Sequence, residues 1–135
     1  MAPSRPPRPC PCGSGAPYAD CCRPLHRGRA SGRATAPTAE RLMRSRYSAF
    51  AFGDRAYLLA TWHPSTRPAA LDLDDGLRWE GLDVLRTTAG GEDDRSGTVA
   101  FVARYRDAAG HEGEQREDSA FVREDGAWFY VGPVR

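Results

Sequence analysis

The chain changes its hydrophobic rhythm once. Between residues 38 and 63 apolar side chains recur every three to four positions, and beyond residue 77 they alternate with polar ones. The first rhythm belongs to amphipathic helices, the second to strands with one buried face. Thr38 is placed to cap a helix over 39–52, "AERLMRSRYSAFAF", which Gly53 stops. At about 100° per residue, Ala39, Leu42, Met43, Tyr47, Ala49 and Phe50 share one stripe. Arg46 falls in its middle, while Arg41 and Arg44 point away. A guanidinium on a core-facing stripe must snorkel, pair with a carboxylate or line a polar cavity. Asp54 then caps a second helix over 55–63, "RAYLLATWH", ended by Pro64. Its inner face carries Tyr57, Leu58, Thr61 and Trp62. His63, at the end of that helix, is either a cap residue or a polar group at a pocket mouth.

After "HPSTRPAALDLDDG" the alternating pattern predicts four strands, at 77–87, 97–106, 112–123 and 127–134. Turn-forming stretches "AGGEDDRSG", "DAAG" and "EDG" separate them. Val99, Phe101, Ala103 and Tyr105 share a face of the second strand; Glu117, Ser119 and Phe121 share one of the third. Trp128 and Tyr130 fall together in the fourth. Helices followed by an antiparallel meander make an α+β layer architecture, with a curved sheet wrapped around the helices and a cone-shaped cavity between them. Arg46, Tyr47, Trp62, His63, Glu117, Ser119, Trp128 and Tyr130 are the candidates for lining that cavity, with Arg46 and Glu117 as mutual partners.

Composition narrows the class. Forty per cent apolar residues and three Trp in 135 residues suffice for one packed domain with a small appendage. No apolar run approaches the ~18 residues of a membrane helix, and "MAPSRPPRPC" lacks the apolar core of a secretory signal. The expectation is a soluble cytoplasmic protein with reduced thiols. The net charge of +1 conceals an asymmetry: residues 1–36 carry six Arg against Asp20, and the remainder thirteen Arg against seventeen acids. Either the basic end meets an acidic partner, or it solubilises the chain and offsets a negative metal centre.

Every cysteine lies in "CPCGSGAPYADCC", residues 10–22. Pairing Cys21 with Cys22 would strain a disulfide, because adjacent Cα atoms sit about 3.8 Å apart. The other pairings close one eight-residue loop twice, which suits a secreted mini-protein. A metal accounts for the spacing better. "CGSG" makes a tight turn whose backbone N–H groups face the sulfurs, and "APYADCC" returns Cys21 and Cys22 on a short helical turn. Four thiolates, Cys10, Cys12, Cys21 and Cys22, suit tetrahedral Zn²⁺ in a structural site, although soft sulfur also accepts Cu(I) or an iron–sulfur cluster. Tyr18 and Leu25 are the only large apolar residues nearby, too few to offset about 1–2 kcal/mol of backbone ordering per residue. A structural zinc contributes about 10–16 kcal/mol in comparable modules. His26 reads as a bystander, since four thiols already fill four places.

This stretch resembles a SEC-C motif, the small zinc module also found at the C-terminus of the SecA translocase. The resemblance implies zinc held by Cys10, Cys12, Cys21 and Cys22, with Cys22 where SecA-type versions often place His. "APYAD" stands where those modules carry lysines, which argues against SecA's partner. The cone is similar to the nuclear transport factor 2-like (cystatin-like) superfamily. Together, "CPCGSGAPYADCCRPLH", "LMRSRYSAF", "YLLATWHPSTRP" and "SAFVREDGAWFYV" resemble the YchJ-like family of bacterial proteins over nearly the whole chain. The small, polar "GRASGRATAP" reads as a flexible linker over 28–37; the resemblance implies a SEC-C-like module over 1–27 with a disordered N-terminus before it and a nuclear transport factor 2-like domain over 38–135 after it.

Three functions compete. The first is a zinc-stabilised binding or adaptor protein whose cone takes a ligand or second partner, and the sequence favours it. The second is an enzyme in which Arg46 anchors an anionic or carbonyl group, Glu117 is a general base and Tyr47 or His63 a proton donor. No nucleophile–base signature accompanies those residues. The third, nucleic-acid binding by the basic tail, lacks stacking aromatics beyond Tyr18. Analogy to the superfamily adds a homodimer through the sheet.

Overall fold

In the computed structural model, which describes residues 8–73 and 76–134, the helix starts and stops follow side-chain chemistry. The stretch 1–7 of the N-terminus expected to be disordered lies outside the described residues. After a 3-10 turn at Tyr18–Asp20 come α1 (Arg23–Gly28), α2 (Ala39–Phe52) and α3 (Arg55–Ala60). The Thr38 hydroxyl accepts the Arg41 N–H at 3.1 Å, and Gly53 ends α2 in the left-handed conformation at φ 72°. Asp54 Oδ1 accepts the Tyr57 N–H at 3.1 Å and opens α3.

The second helix is shorter than its sequence pattern. It stops at Ala60; Thr61 closes the last turn at φ −98° and ψ 6°, and Trp62 pairs with the sheet instead. Pro64 disfavours helical backbone at His63, and the strand edge offers better partners. Tyr130 donates its N–H to the Thr61 carbonyl at 2.9 Å, and His63 donates to the Tyr130 carbonyl at 2.8 Å. Trp62 thereby bridges Tyr130 in parallel fashion.

Four strands, β1 (Arg78–Ala89), β2 (Ser96–Arg106), β3 (Glu112–Glu124) and β4 (Ala127–Pro133), form an antiparallel meander in the order β1-β2-β3-β4. The register sets Phe101 opposite Glu117, Val99 opposite Ser119, and Phe121 opposite Tyr130. Irregularities between Trp79 and Gly81 and between Val84 and Arg86 increase the twist of β1, and the sheet curls around α2. Leu42, Leu58, Val99, Phe121 and Trp128 are fully buried between the layers. The outer face carries screened ion pairs such as Arg86–Asp118 and Arg106–Glu80, which contribute little to stability. Among the described residues no helix is long and apolar enough to cross a membrane.

The connection over 28–37, expected to be a flexible linker, is largely exposed but anchored at several points. Ala36 is buried, Arg33 and Ala34 donate to the Gly28 carbonyl, and Trp128 Nε1 donates to the Pro37 carbonyl at 3.2 Å. A Cβ on Gly28 would fall 2.6 Å from that of Ala34. The cysteine module consequently joins the same apolar core as the cone.

Candidate metal centre and cone

The cysteine loop closes on itself before it meets the rest of the molecule. Cys10 N–H donates to the Ala16 carbonyl at 3.0 Å, and Gly13 N–H returns to the Cys10 carbonyl at 3.2 Å. Gly13 and Gly15 take φ of 79° and 88°, which residues with a Cβ rarely adopt. Cys22 then precedes α1, where Pro24 needs no hydrogen-bond partner for its nitrogen. The four sulfurs are buried and lie within 4.8 Å of one another. Cys12 and Cys21 are 3.6 Å apart, Cys21 and Cys22 3.9 Å. All four thiols are free of disulfides.

Helix α2 completes the surroundings of the sulfurs. Arg41 Nη1 donates to Cys21 Sγ at 3.4 Å and Nη2 to the Cys21 carbonyl at 2.9 Å. Arg44 donates to the Cys12 carbonyl at 2.8 Å while paired with Glu40 at 3.0 Å. Ser48 Oγ lies 3.4 Å from Cys10 Sγ, and Ser14 Oγ 3.1 Å from Cys21 Sγ. Arg41 and Arg44 do point away from the cone, as their spacing predicts, but toward sulfur rather than solvent. Opposite a cluster of thiolates, an arginine face on the next helix is the signal that sequence reading passed over. Burial opposes the Arg41 charge, yet the Cys21 and Cys22 sulfurs hold its guanidinium above the ordinary range.

The sulfurs constrain one another electrostatically. Hydrogen bonding from the Cys12 and then the Cys22 thiol pushes Cys10 well below the usual thiol range, with Ser48 assisting against burial. Cys12 is pushed up chiefly by the Cys10 sulfur, and Cys22 by Cys10, Cys12 and burial. Four ionised thiolates at this spacing therefore require a cation among them, and the donor set fits a four-coordinate metal ion. His26 stays outside: Nδ1 bonds Tyr18 OH and Nε2 the Ser45 carbonyl, both at 2.8 Å. It latches α1 and the 3-10 turn onto α2.

The opposite side of α2 faces the cone. Arg46 is 4 % exposed, and its Nη1 donates to the Leu58 carbonyl at 2.8 Å and to Thr61 Oγ1 at 2.7 Å. Its guanidinium lies 5.0 Å from the Trp62 ring centroid and 4.6 Å from that of Tyr130. Burial lowers its pKa to about 10, so Arg46 remains charged at neutral pH. Glu117 Oε2 accepts from Ser119 Oγ and, at 2.8 Å, from Tyr130 OH. Burial first, and then that carboxylate, raise the Tyr130 phenol. The two charges do not bond each other: among the described residues no ion pair within 4.0 Å joins Arg46 to Glu117. The partnership expected from the alternation is thus one of proximity in the same cavity, because Leu58 and Thr61 reach the guanidinium first.

Arg46, Trp62, Glu117, Ser119 and Tyr130 line one depression of about 150 Å³, together with Met43, Phe50, Phe101 and Gln115. Tyr47 lines an adjoining depression of about 190 Å³ with Trp79 and Ala103, and the two share Met43, Phe50, Phe101 and Gln115. Trp128 is elsewhere, buried in the core under residues 35–37. Gln115 was legible, since it alternates with Glu117 and Ser119 on β3. Trp62 Nε1 is buried without a hydrogen-bond partner among the described residues. A wider depression of about 390 Å³ at the far end of the sheet is walled by Glu80, Arg104, Glu112 and Glu114. Its charges are largely exposed and paired on the surface, so the apolar cone is the better candidate.

His63 lies apart from the cone, between Glu124, bonded through Nε2, and Ser65, bonded through Nδ1 at 2.7 Å. The order serine–histidine–carboxylate invites comparison with a hydrolytic triad. However, the backbone N–H groups of Ser65, Thr66 and Arg67 all donate to His63 itself. None of these three is left to stabilise an oxyanion. His63 is a clamp between the loop and β3.

Comparisons with known proteins match both parts of the chain. The model of the YchJ middle NTF2-like domain matches residues 38–133, and that of the SEC-C motif residues 9–24. A UPF0225 protein of Streptomyces coelicolor is 54% identical over 123 residues, covering 91% of this chain and 92% of its own. One of Xanthomonas campestris pv. campestris is 53% identical over 133 residues, covering 97% and 98%. The solution structure of a SEC-C motif containing protein from Rhodopseudomonas palustris superposes with a TM-score of 0.78 at 35% identity, over 93% of this chain and 96% of that one. A crystal structure of a SEC-C motif containing protein from Psychrobacter arcticus gives 0.76 at 29% identity, over 93% and 81%. With both halves matched in their sequence order and full-length relatives at this identity, the chain belongs to the UPF0225 family, a SEC-C motif followed by a YchJ-type NTF2-like domain.

Proposed function

We propose that this protein is a zinc-stabilised, non-catalytic binding protein: a structural four-thiolate zinc fastens the N-terminal module to α2, and the cone on the other side of α2 takes a ligand. The observation that carries the reading is the division of α2. Arg41, Arg44 and Ser48 clasp the sulfur loop, while Met43, Arg46 and Phe50 line the cone. Zinc–sulfur bonds of about 2.3 Å give a tetrahedron with edges of about 3.8 Å, and the 3.6 and 3.9 Å sulfur separations straddle that length. Four buried sulfurs leave no open coordination position, which supports a structural ion. In the cone, a cation, a carboxylate and four aromatic rings converge on apolar walls, a composition suited to binding.

Metal content of protein purified without added metal tests the first half. One zinc per chain is expected, with four thiols that react only after chelation. Copper, iron or metal-free protein with readily oxidised thiols would overturn it. The second half requires the cone to hold a small molecule, and turnover of that molecule would replace the binding reading with an enzymatic one.

A further inference from the structure

The polar atoms of the cone are half engaged, and what remains free defines a chemistry. Arg46 uses Nη1 twice, on Leu58 and Thr61, whereas its Nε and Nη2 find no hydrogen-bond partner among the described residues. Glu117 uses Oε2 twice, on Ser119 and Tyr130, whereas its Oε1 finds none. None of these free atoms is a sealed, unsatisfied group; among the described residues the cone's one such atom is Trp62 Nε1. The depression therefore offers N–H donors from one residue and a carboxylate acceptor from another, with no net charge.

An anion would gain Arg46 but be repelled by Glu117, and a cation would meet the reverse. A group carrying an acceptor and a donor side by side, and no charge, satisfies both. Trp62, Tyr130, Phe50 and Phe101 surround the space, so the body that carries this group is flat and apolar. The adjoining depression beside Tyr47 and Trp79 leaves room for a substituent. We propose that the cone binds a neutral, planar amide, a primary carboxamide or lactam edge on an aromatic body, held by Arg46 at its carbonyl oxygen and by Glu117 at its N–H. This rests on the cone being a binding site, and the experiment separates the two claims.

Benzamide, benzoate and benzamidine have nearly the same shape and differ in charge. Each is titrated into the zinc-loaded full chain while the Trp62 indole N–H and the backbone amides of Arg46, Glu117 and Tyr130 are followed by NMR. Benzamide is expected to shift these signals with at least about tenfold higher affinity than either charged probe. Glu117→Gln, which keeps the shape of the side chain and removes its charge, is expected to raise benzoate affinity about fivefold or more. If benzoate or benzamidine matches benzamide on the unmodified chain, the amide assignment falls and the cone remains a binding site of another class. If none of the three moves the cone signals at roughly 10 mM, the assignment and the binding reading both fall. The comparison on the unmodified chain decides the matter even if Glu117→Gln folds poorly.

Discussion

The two faces of α2 hold two polar clusters that differ in closure. Around the sulfurs, Ser14, Ser48, Arg41 and Arg44 all direct hydrogen bonds inward, and the four cysteines are buried. Around Arg46, Nη1 and Glu117 Oε2 are engaged, while Arg46 Nε and Nη2 and Glu117 Oε1 find no hydrogen-bond partner among the described residues. Buried polar groups are ordinarily satisfied, because leaving one unpaired costs about 1–3 kcal/mol. A closed cluster stabilises the fold; an open one keeps donors and an acceptor available for something else. On the proposed function, the sulfur side serves stability and the cone serves recognition.

Breaking the sulfur side should have the largest effect. Cys12→Ser is expected to abolish metal binding and remove much of the roughly 10–16 kcal/mol that such a metal contributes to ordering its module. Metal analysis and limited proteolysis of residues 8–34 would show it, and undiminished metal content would contradict the assignment. Arg41→Ala keeps all four ligands but removes the hydrogen bonds to Cys21; metal affinity should fall about 10–100-fold in a chelator competition. Next comes Arg46→Met, which leaves the Leu58 carbonyl and Thr61 Oγ1 without their donor. Unfolding in denaturant should report a loss of about 1–3 kcal/mol, with unchanged metal content and no benzamide response. His63→Ala loosens a partly exposed clamp, with an expected cost near 1 kcal/mol, and a fluorophosphonate probe should leave Ser65 unlabelled in the parent chain. Labelled Ser65 would restore the triad reading. Arg86→Ala, on the exposed outer face, should change stability by under about 0.5 kcal/mol and leave both sites intact.

The His26 side chain, held by Tyr18 OH, connects the sulfur module to α2 by bonding the Ser45 carbonyl. The composition of residues 28–37 suggests looseness, yet small side chains there permit close packing, as Gly28 against Ala34 demonstrates. Polar and small segments read as linkers because sequence alone does not report what they pack against.

What the sequence determined by itself is whatever depends on local chemistry. Thr38, Gly53 and Asp54 delimit the helices because a hydroxyl, a missing Cβ and a carboxylate act on their nearest backbone groups. Alternation fixed the four strands and their inward faces, because a strand turns successive side chains to opposite sides. The Cys10–Cys22 spacing identified the metal-type cluster for the same reason, since its ligands are close along the chain. Only the tertiary structure decided which groups meet across distance: Arg41 with Cys21, Arg46 with Thr61 rather than Glu117, and His63 with Glu124. It also ended α3 at Ala60 and turned Trp62 into the cone, because a strand edge supplied hydrogen bonds that no helix could continue past Pro64. Charged side chains have many partners compatible with a given pattern, and packing selects among them by which acceptor arrives first.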